Sequence, residues 1–415
     1  MRIGLFSDSY TPYTSGVVTS IQTLKAELTA RGHDVHVFAP EYPNHMETET
    51  NIHRFFSVPA PTNPDFTLPV PISPRMTALV KRLRLDVIHV HSPFLLGQMG
   101  MRCANRWDIP LVFTYHTKYD QYVHYFPLAQ DLARDLTIRY SRYFCGKCDL
   151  VIAPSTDIES VIRGYGIRTT VRVVPTGVDT DKYTAGDPDW LRQRFHIEPD
   201  RKICLFVGRL SPEKNLAFLI EAMARVKARE KVTLVLTASG PMERELRQLA
   251  AAQGMVEGTD LIFTGFLNDE ELVNAYAGSD LFTFASVTET QGVVLVEAMA
   301  SGLPIAAVEA SGTRDMVQNG SQGILTPVDL DQFTEAIIRL LSDSALREQM
   351  AAAGVQRAQA LSAQGMAEKL ENEYTRLIER NKRTASRRRV VSLFPDRNDW
   401  GRIVEWLGTN RKTGV

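Results

Sequence analysis

At 415 residues, 44% hydrophobic and 23% charged, the chain has room for two or three domains and the composition of a soluble globular protein. A formal net charge of -1 argues against a dedicated nucleic-acid binder. No run approaches the roughly 18 apolar residues of a membrane span, and the opening apolar run breaks too soon, at Asp8, for a signal peptide, so a cytoplasmic address is expected.

In chain order, Arg2 to Ser7 reads as an apolar strand, Asp8 to Ser15 as a loop, and Gly16 to about Ala30 as a helix closed by Gly32. Asp34 to Ala39 is the next strand, so the opening is a βαβ unit of a parallel sheet. It lacks the G-x-G-x-x-G of a dinucleotide fold, which argues against a nicotinamide enzyme. Gly16, at the helix start, is either a tight-turn glycine or a point of close approach to a phosphate. Pro74 to Leu85 interleaves Arg75, Lys81, Arg82 and Arg84 with Met76, Leu79, Val80 and Leu83, a pattern suited to a membrane surface.

Two buried strands, Asp86–His91 and Pro110–Thr114, each run into a loop bearing a histidine, His91 and His116. Ligands of open α/β sheets bind beyond the carboxyl ends of strands, so both histidines are site candidates. A long helix follows over Asp131–Lys147, then strands at Asp149–Pro154 and Val171–Val174. Cys145-Gly146-Lys147-Cys148 has no second cysteine pair and reads as ordinary reduced thiols. Asp179-Thr180-Asp181 follows a Pro-Gly turn at the domain boundary and reads as linker, not as a metal-binding D-x-D.

The second half repeats the alternation, with strands at Lys202–Val207, Val232–Thr237, Asp260–Thr264, Asp280–Phe284, Pro304–Val308 and Gly323–Leu325. Helices lie between them, including Asn215–Arg229 and Glu243–Gly254. Arg209 and Lys214 stand over Gly208 at a strand end, where a planar donor fork and a point charge can reach one diphosphate. Gly240 occupies another strand-end loop, expected to line a nucleotide base. Then comes Thr288-Glu289-Thr290-Gln291-Gly292-Val293, leading into a helix that carries Glu297 about two turns in. Glu289 can accept bonds from sugar hydroxyls, Glu297 from a second pair, and the helix start with Gln291, Gly292 and Val293 offers N–H groups to phosphate.

Glu289 and Glu297, eight apart, resemble the E-x7-E signature of retaining GT-B glycosyltransferases of family 4, and Gly208 to Asn215 resembles that family's diphosphate clamp. The resemblance covers nearly all of residues 1–380. It implies an α/β protein of two Rossmann-like parallel-sheet domains facing a central cleft. Residues 1–177 would bind acceptor, 178–363 would bind nucleotide sugar, and a helix at 364–382 would cross back to the first domain. Tyr115 to Tyr122 looks like the acceptor loop of bacterial 1,2-diacylglycerol 3-glucosyltransferases. By that resemblance His116 lies beside the transferred sugar and acts with Glu289 as a catalytic group, Gly16 faces the diphosphate, and His91, Lys118, Tyr119 and Tyr122 are candidates for the acceptor.

The activity so implied is transfer of glucose from UDP-glucose to 1,2-diacylglycerol with retention, without metal or cofactor. The same transfer from another nucleotide sugar, or to a phosphoinositide or soluble sugar, stays open, as does a GT-B-fold nucleotide-sugar epimerase. A basic tail, 383–415, with Arg387, Arg388 and Arg389 followed by Trp400 and Trp406, would join Lys81, Arg82 and Arg84 on an anionic membrane surface at the inner face of the cell membrane.

Overall fold

The computed structural model describes residues 1–60, 63–118 and 130–391. Seven strands form the first parallel sheet: β1 (Arg2–Phe6), β2 (Asp34–Pro40), β3 (Ile52–Phe55), β6 (Val87–Val90), β7 (Leu111–Thr114), β8 (Leu150–Ala153) and β9 (Val171–Val173), in the order 3-2-1-6-7-8-9. An antiparallel hairpin of β4 (Ser57–Ala60) and β5 (Asn63–Pro69) stands beside it. The second sheet contains β10 (Lys202–Val207), β11 (Val232–Thr237), β12 (Leu261–Gly265), β13 (Leu281–Phe284), β14 (Ile305–Val308) and β15 (Gly323–Thr326), in the order 12-11-10-13-14-15. The strands are short apolar runs buried on both faces, because helices cover each sheet from both sides.

Both sheets reverse direction of growth once, between β1 and β6 in the first and between β10 and β13 in the second. At such a switch point the two connecting helices leave on opposite faces, and a crevice opens at the carboxyl ends of the strands. The loops after β1 and β6 carry Asp8 to Ser15 and His91. Those after β10 and β13 carry the Arg209–Lys214 turn and Glu289. Topology alone therefore sets the candidate residues at two crevices.

The helix Ala363–Val391 returns from the second domain to the first. Met366, Leu370, Tyr374 and Leu377 make a stripe at helical spacing, buried in one core with Ile3, Leu5, Val18 and Ile21. This helix runs past 382, where a tail was expected, because nothing between Gly365 and Pro395 breaks it. Arg387, Arg388 and Arg389 thus continue a helical backbone, and their side chains lie outside the described residues, as do Trp400 and Trp406. The helix Pro74–Leu83, capped by Ser73, also differs from expectation. Its Val80 is buried and Met76, Leu79 and Leu83 pack on the first domain's core, so the apolar residues serve folding, while Arg75, Lys81, Arg82 and Arg84 face solvent.

Candidate active site

On the second domain, β10 ends at Val207 and the chain turns at Gly208, whose φ of 152° suits only glycine. A single 3-10 turn, Pro212–Lys214, then aims Lys214 across to the loop after β13. Lys214 Nζ lies 2.5 Å from Glu289 Oε1, both side chains about four-fifths buried. Ser286 ties the two loops together by donating to the Glu213 carbonyl at 3.1 Å. Gly312 backs the carboxylate: a Cβ there would stand 2.6 Å from the Glu289 carbonyl oxygen, so no larger residue fits behind it. Arg209 is exposed and its guanidinium has no hydrogen bond or ion pair among the described residues.

Helix Val293–Ala300 begins at Gly292, held at φ 74°, with no side-chain cap on its first amides among the described residues. The site therefore joins a cation pair with a free helix N-terminus, a constellation that attracts an anion. Glu297 is the fifth residue of this helix, one turn in rather than two, since the polar loop runs as far as Gly292. It is 9% exposed, and Tyr276 donates to it at 2.8 Å. Burial pushes its carboxyl above the usual range, while the Tyr276 and Tyr183 hydroxyls pull it back.

The first domain supplies the opposite wall. Asp8 accepts from the Ser92 hydroxyl at 2.5 Å and from Leu96 N–H at 2.6 Å, capping helix Leu95–Trp107. Burial raises its pKa against those bonds. Ser15 caps helix Gly16–Ala30, and a Cβ at Gly16 would meet nothing within 4 Å. His91 and His116 are brought together, Nδ1 to Nε2, at 2.9 Å. The His89 ring packs on His91 at a tilt of 33° and is itself held by Thr114 and Tyr374. Burial holds all three imidazoles neutral, pushing His89 down to about 3, His116 to about 4 and His91 well below its ordinary value.

Several predicted residues are used differently. Lys118 is 7% exposed and spans the domains, 2.7 Å from Asp157 and 2.9 Å from Ser311 Oγ, so its ammonium is not open to an acceptor. Gln291 spends its amide on the linker, accepting from Thr176 N–H at 2.7 Å and donating to Thr176 O at 2.8 Å. Gly240 allows backbone contact with the clamp: a Cβ would stand 2.3 Å from Leu210 O. His91, 2% exposed, lies behind His116 rather than at the surface. Tyr119 and Tyr122 lie outside the described residues.

Other residues escaped the sequence. Asp315 accepts from the backbone and hydroxyl of Thr156, capping a helix of the other domain, and nothing in a lone Asp after Arg314 signals that. The rings of Phe94 and Tyr140 lie parallel, 5.7 Å apart, in a groove of about 330 Å³ bordered by Pro71 and Arg102. Phe94 directly follows the His91 loop, the one cue available. Because Ser311 precedes Gly312, Lys118 links the His116 loop to the wall behind Glu289.

Residues 14–182 match the model of Glycosyltransferase Family 4, and residues 189–357 that of Glycosyl transferases group 1. The alpha-monoglucosyldiacylglycerol synthase of Streptococcus pneumoniae is 36% identical over 315 residues, 74% of this chain and 71% of that one. The GDP-mannose-dependent alpha-mannosyltransferase of Corynebacterium glutamicum is 30% identical over 365 residues, 85% of this chain and 83% of the other. Among solved structures, HepE of Anabaena in complex with UDP-glucose superposes with a TM-score of 0.70 at 21% identity, over 90% of this chain and 99% of that one. The paired crevices are thus those of a GT-B fold, and the chain belongs to glycosyltransferase family 4.

Proposed function

We propose that the protein transfers glucose from UDP-glucose to 1,2-diacylglycerol with retention at the anomeric carbon. The observation that carries this reading is the Lys214–Glu289 pair beside Arg209 and the free start of helix Val293–Ala300, opposite the His116 loop. Arg209, Lys214 and the helix amides balance charge on the leaving diphosphate, a preorganised electrostatic role. Glu289 accepts from sugar hydroxyls, Glu297 from the ribose, and His116 orients the sugar. The acceptor oxygen bonds to the anomeric carbon on the face from which UDP departs. The bond to the β-phosphate oxygen breaks, and the leaving phosphate takes the acceptor proton. These cationic groups fill the role of a divalent metal, so turnover is expected to persist in EDTA.

The donor site makes a clean steric test. Gly16→Val adds a side chain where nothing lies within 4 Å, so the melting temperature should hold. UDP-glucose turnover should fall by on the order of 10-fold or more, since misplacing bound substrate is costly. Equal turnover would remove Gly16 from the donor site.

The lipid acceptor draws support from the name of the pneumococcal relative and from the apolar Phe94–Tyr140 groove beside the His91 loop. Exposed Arg75, Lys81, Arg82 and Arg84 suit an anionic surface, each such charge adding about 1 kcal/mol. A second reading, mannose from GDP-mannose to another acceptor, is favoured by the mannosyltransferase relative. Incubation with UDP-glucose or GDP-mannose and vesicles of phosphatidylglycerol with diacylglycerol separates the two. The expected product is monoglucosyldiacylglycerol, with protein sedimenting on the anionic vesicles and much less on phosphatidylcholine. Faster transfer from GDP-mannose, or to a soluble acceptor, overturns the assignment.

A further inference from the structure

The histidine stack carries more than His116. His91 is buried and its ring lies between those of His89 and His116, at centroid distances of 4.2 and 5.2 Å. Its backbone N–H is fixed to Phe6 O at 2.8 Å, so the ring cannot drift with the loop. One proton serves the 2.9 Å contact between His91 Nδ1 and His116 Nε2. There are two ways to place it. If His116 donates, His91 must carry its other proton on Nε2, which is buried without a partner among the described residues. If His91 donates from Nδ1, that buried Nε2 is a bare acceptor instead.

An orphaned buried N–H is rarer than an under-satisfied acceptor. With His91 as donor, His116 must hold its own proton on Nδ1. That nitrogen makes no hydrogen bond among the described residues and is not one of the atoms buried without a partner, so Nδ1–H is the edge left open to a ligand.

Resting on the transferase reading above, we propose that His91 is a positioning residue: it fixes the tautomer and tilt of His116 so that Nδ1–H is presented as a donor to an oxygen of the bound hexose. The specificity this gives is chemical. A hydroxyl or ring oxygen accepts from N–H, whereas the opposite tautomer would present a lone pair and seek a hydroxyl proton. His89, tied at both nitrogens to Thr114 and Tyr374, is the fixed floor against which the tilted His91 ring packs. Through Tyr374 the crossing helix braces the same stack.

Two measurements test this. Long-range nitrogen–proton NMR on the histidine-labelled full chain, with His91→Asn and His116→Gln used for assignment, should find the Nδ1–H tautomer at His116 and at His91 in the free protein. This result does not depend on the donor or the acceptor. Kinetically, His91→Phe should lower kcat by about 10- to 100-fold while the KM for nucleotide sugar hardly moves, as expected for loss of an orienting partner. His91→Asn, whose Nδ2–H stands near the place of Nδ1–H, should recover most of that loss. A wild-type Nε2–H tautomer at His116 overturns the proposal, as does a folded His91→Phe with unchanged kcat. Absence of any sugar transfer by the wild type would instead sink the transferase reading and leave the tautomer result standing.

Discussion

Lys214→Ala is expected to lower kcat/KM for the nucleotide sugar by on the order of 100-fold, with the loss appearing as weaker UDP binding. A charge-assisted hydrogen bond contributes about 1.5–3 kcal/mol, and each 1.4 kcal/mol is tenfold. The upper end applies because Lys214 is largely buried and has two tasks. In the free protein it neutralises Glu289 at 2.5 Å, and in the complex it would meet the diphosphate. Removing it leaves a buried carboxylate beside an incoming dianion, which costs more than the lost attraction alone. Arg209 provides the contrast. Arg209 is exposed and unpaired among the described residues, so its replacement by Ala should leave stability unchanged and weaken UDP binding by a smaller factor. The pairing also predicts non-additivity: adding Glu289→Ala to Lys214→Ala should cost less in UDP affinity than the separate losses imply. Titration calorimetry on the four proteins decides this. Equal UDP affinity in Lys214→Ala and the parent would place the diphosphate elsewhere.

Much of this architecture was legible because parallel strands buried on both faces read as apolar runs ending in polar loops. Lys202–Val207 and Val232–Thr237 lie in the structure where the hydrophobic pattern puts them. The hairpin Ser57–Ala60 and Asn63–Pro69 was not legible, since Pro59, Pro64 and Pro69 interrupt the alternation that marks a strand. Within the site, Lys214 and Glu289 were singled out from strand-end position together with the family resemblance, and the structure brings them into contact. Lys118 and Gln291 show the limit. Each is a polar side chain in a strand-end loop beside the cleft, and sequence cannot tell whether its hydrogen bonds go to a ligand or across to the other domain. The structure has Lys118 on Ser311 and Gln291 on Thr176, so these groups hold the walls of the cleft in register. His91 is the intermediate case, seen as a site residue but packed one layer behind.

Acidification from pH 7.5 to 5 is expected to destabilise the first domain well before the second. The histidines set the sign. Of nine, only His196 lies in residues 178–363. Burial, with His36 and Arg82 nearby, pushes His53 down to about 4, as burial does for His116; burial and the His116 charge push His89 to about 3, and His91 also falls. The unfolded chain takes up protons near pH 6.5, whereas the folded domain refuses them until about 4. Their stabilising contribution is therefore complete above 6.5 and is lost as pH falls toward 4. A single unit of depression at one group corresponds to about 1.4 kcal/mol, against roughly 5–15 kcal/mol for a whole domain. Asp8 acts in the opposite sense, because burial raises its pKa and falling pH relieves its penalty, but that relief begins only as its carboxyl protonates. Calorimetry at pH 7.5, 6 and 5 should resolve two transitions, the lower moving down with pH. Fluorescence of Trp107 in the first domain and Trp190 in the second assigns them. His91→Asn removes one of the refused protons and should flatten the dependence of the first transition. Equal shifts in both domains, or an unchanged slope in that variant, would mean that the buried imidazoles do not govern the acid response.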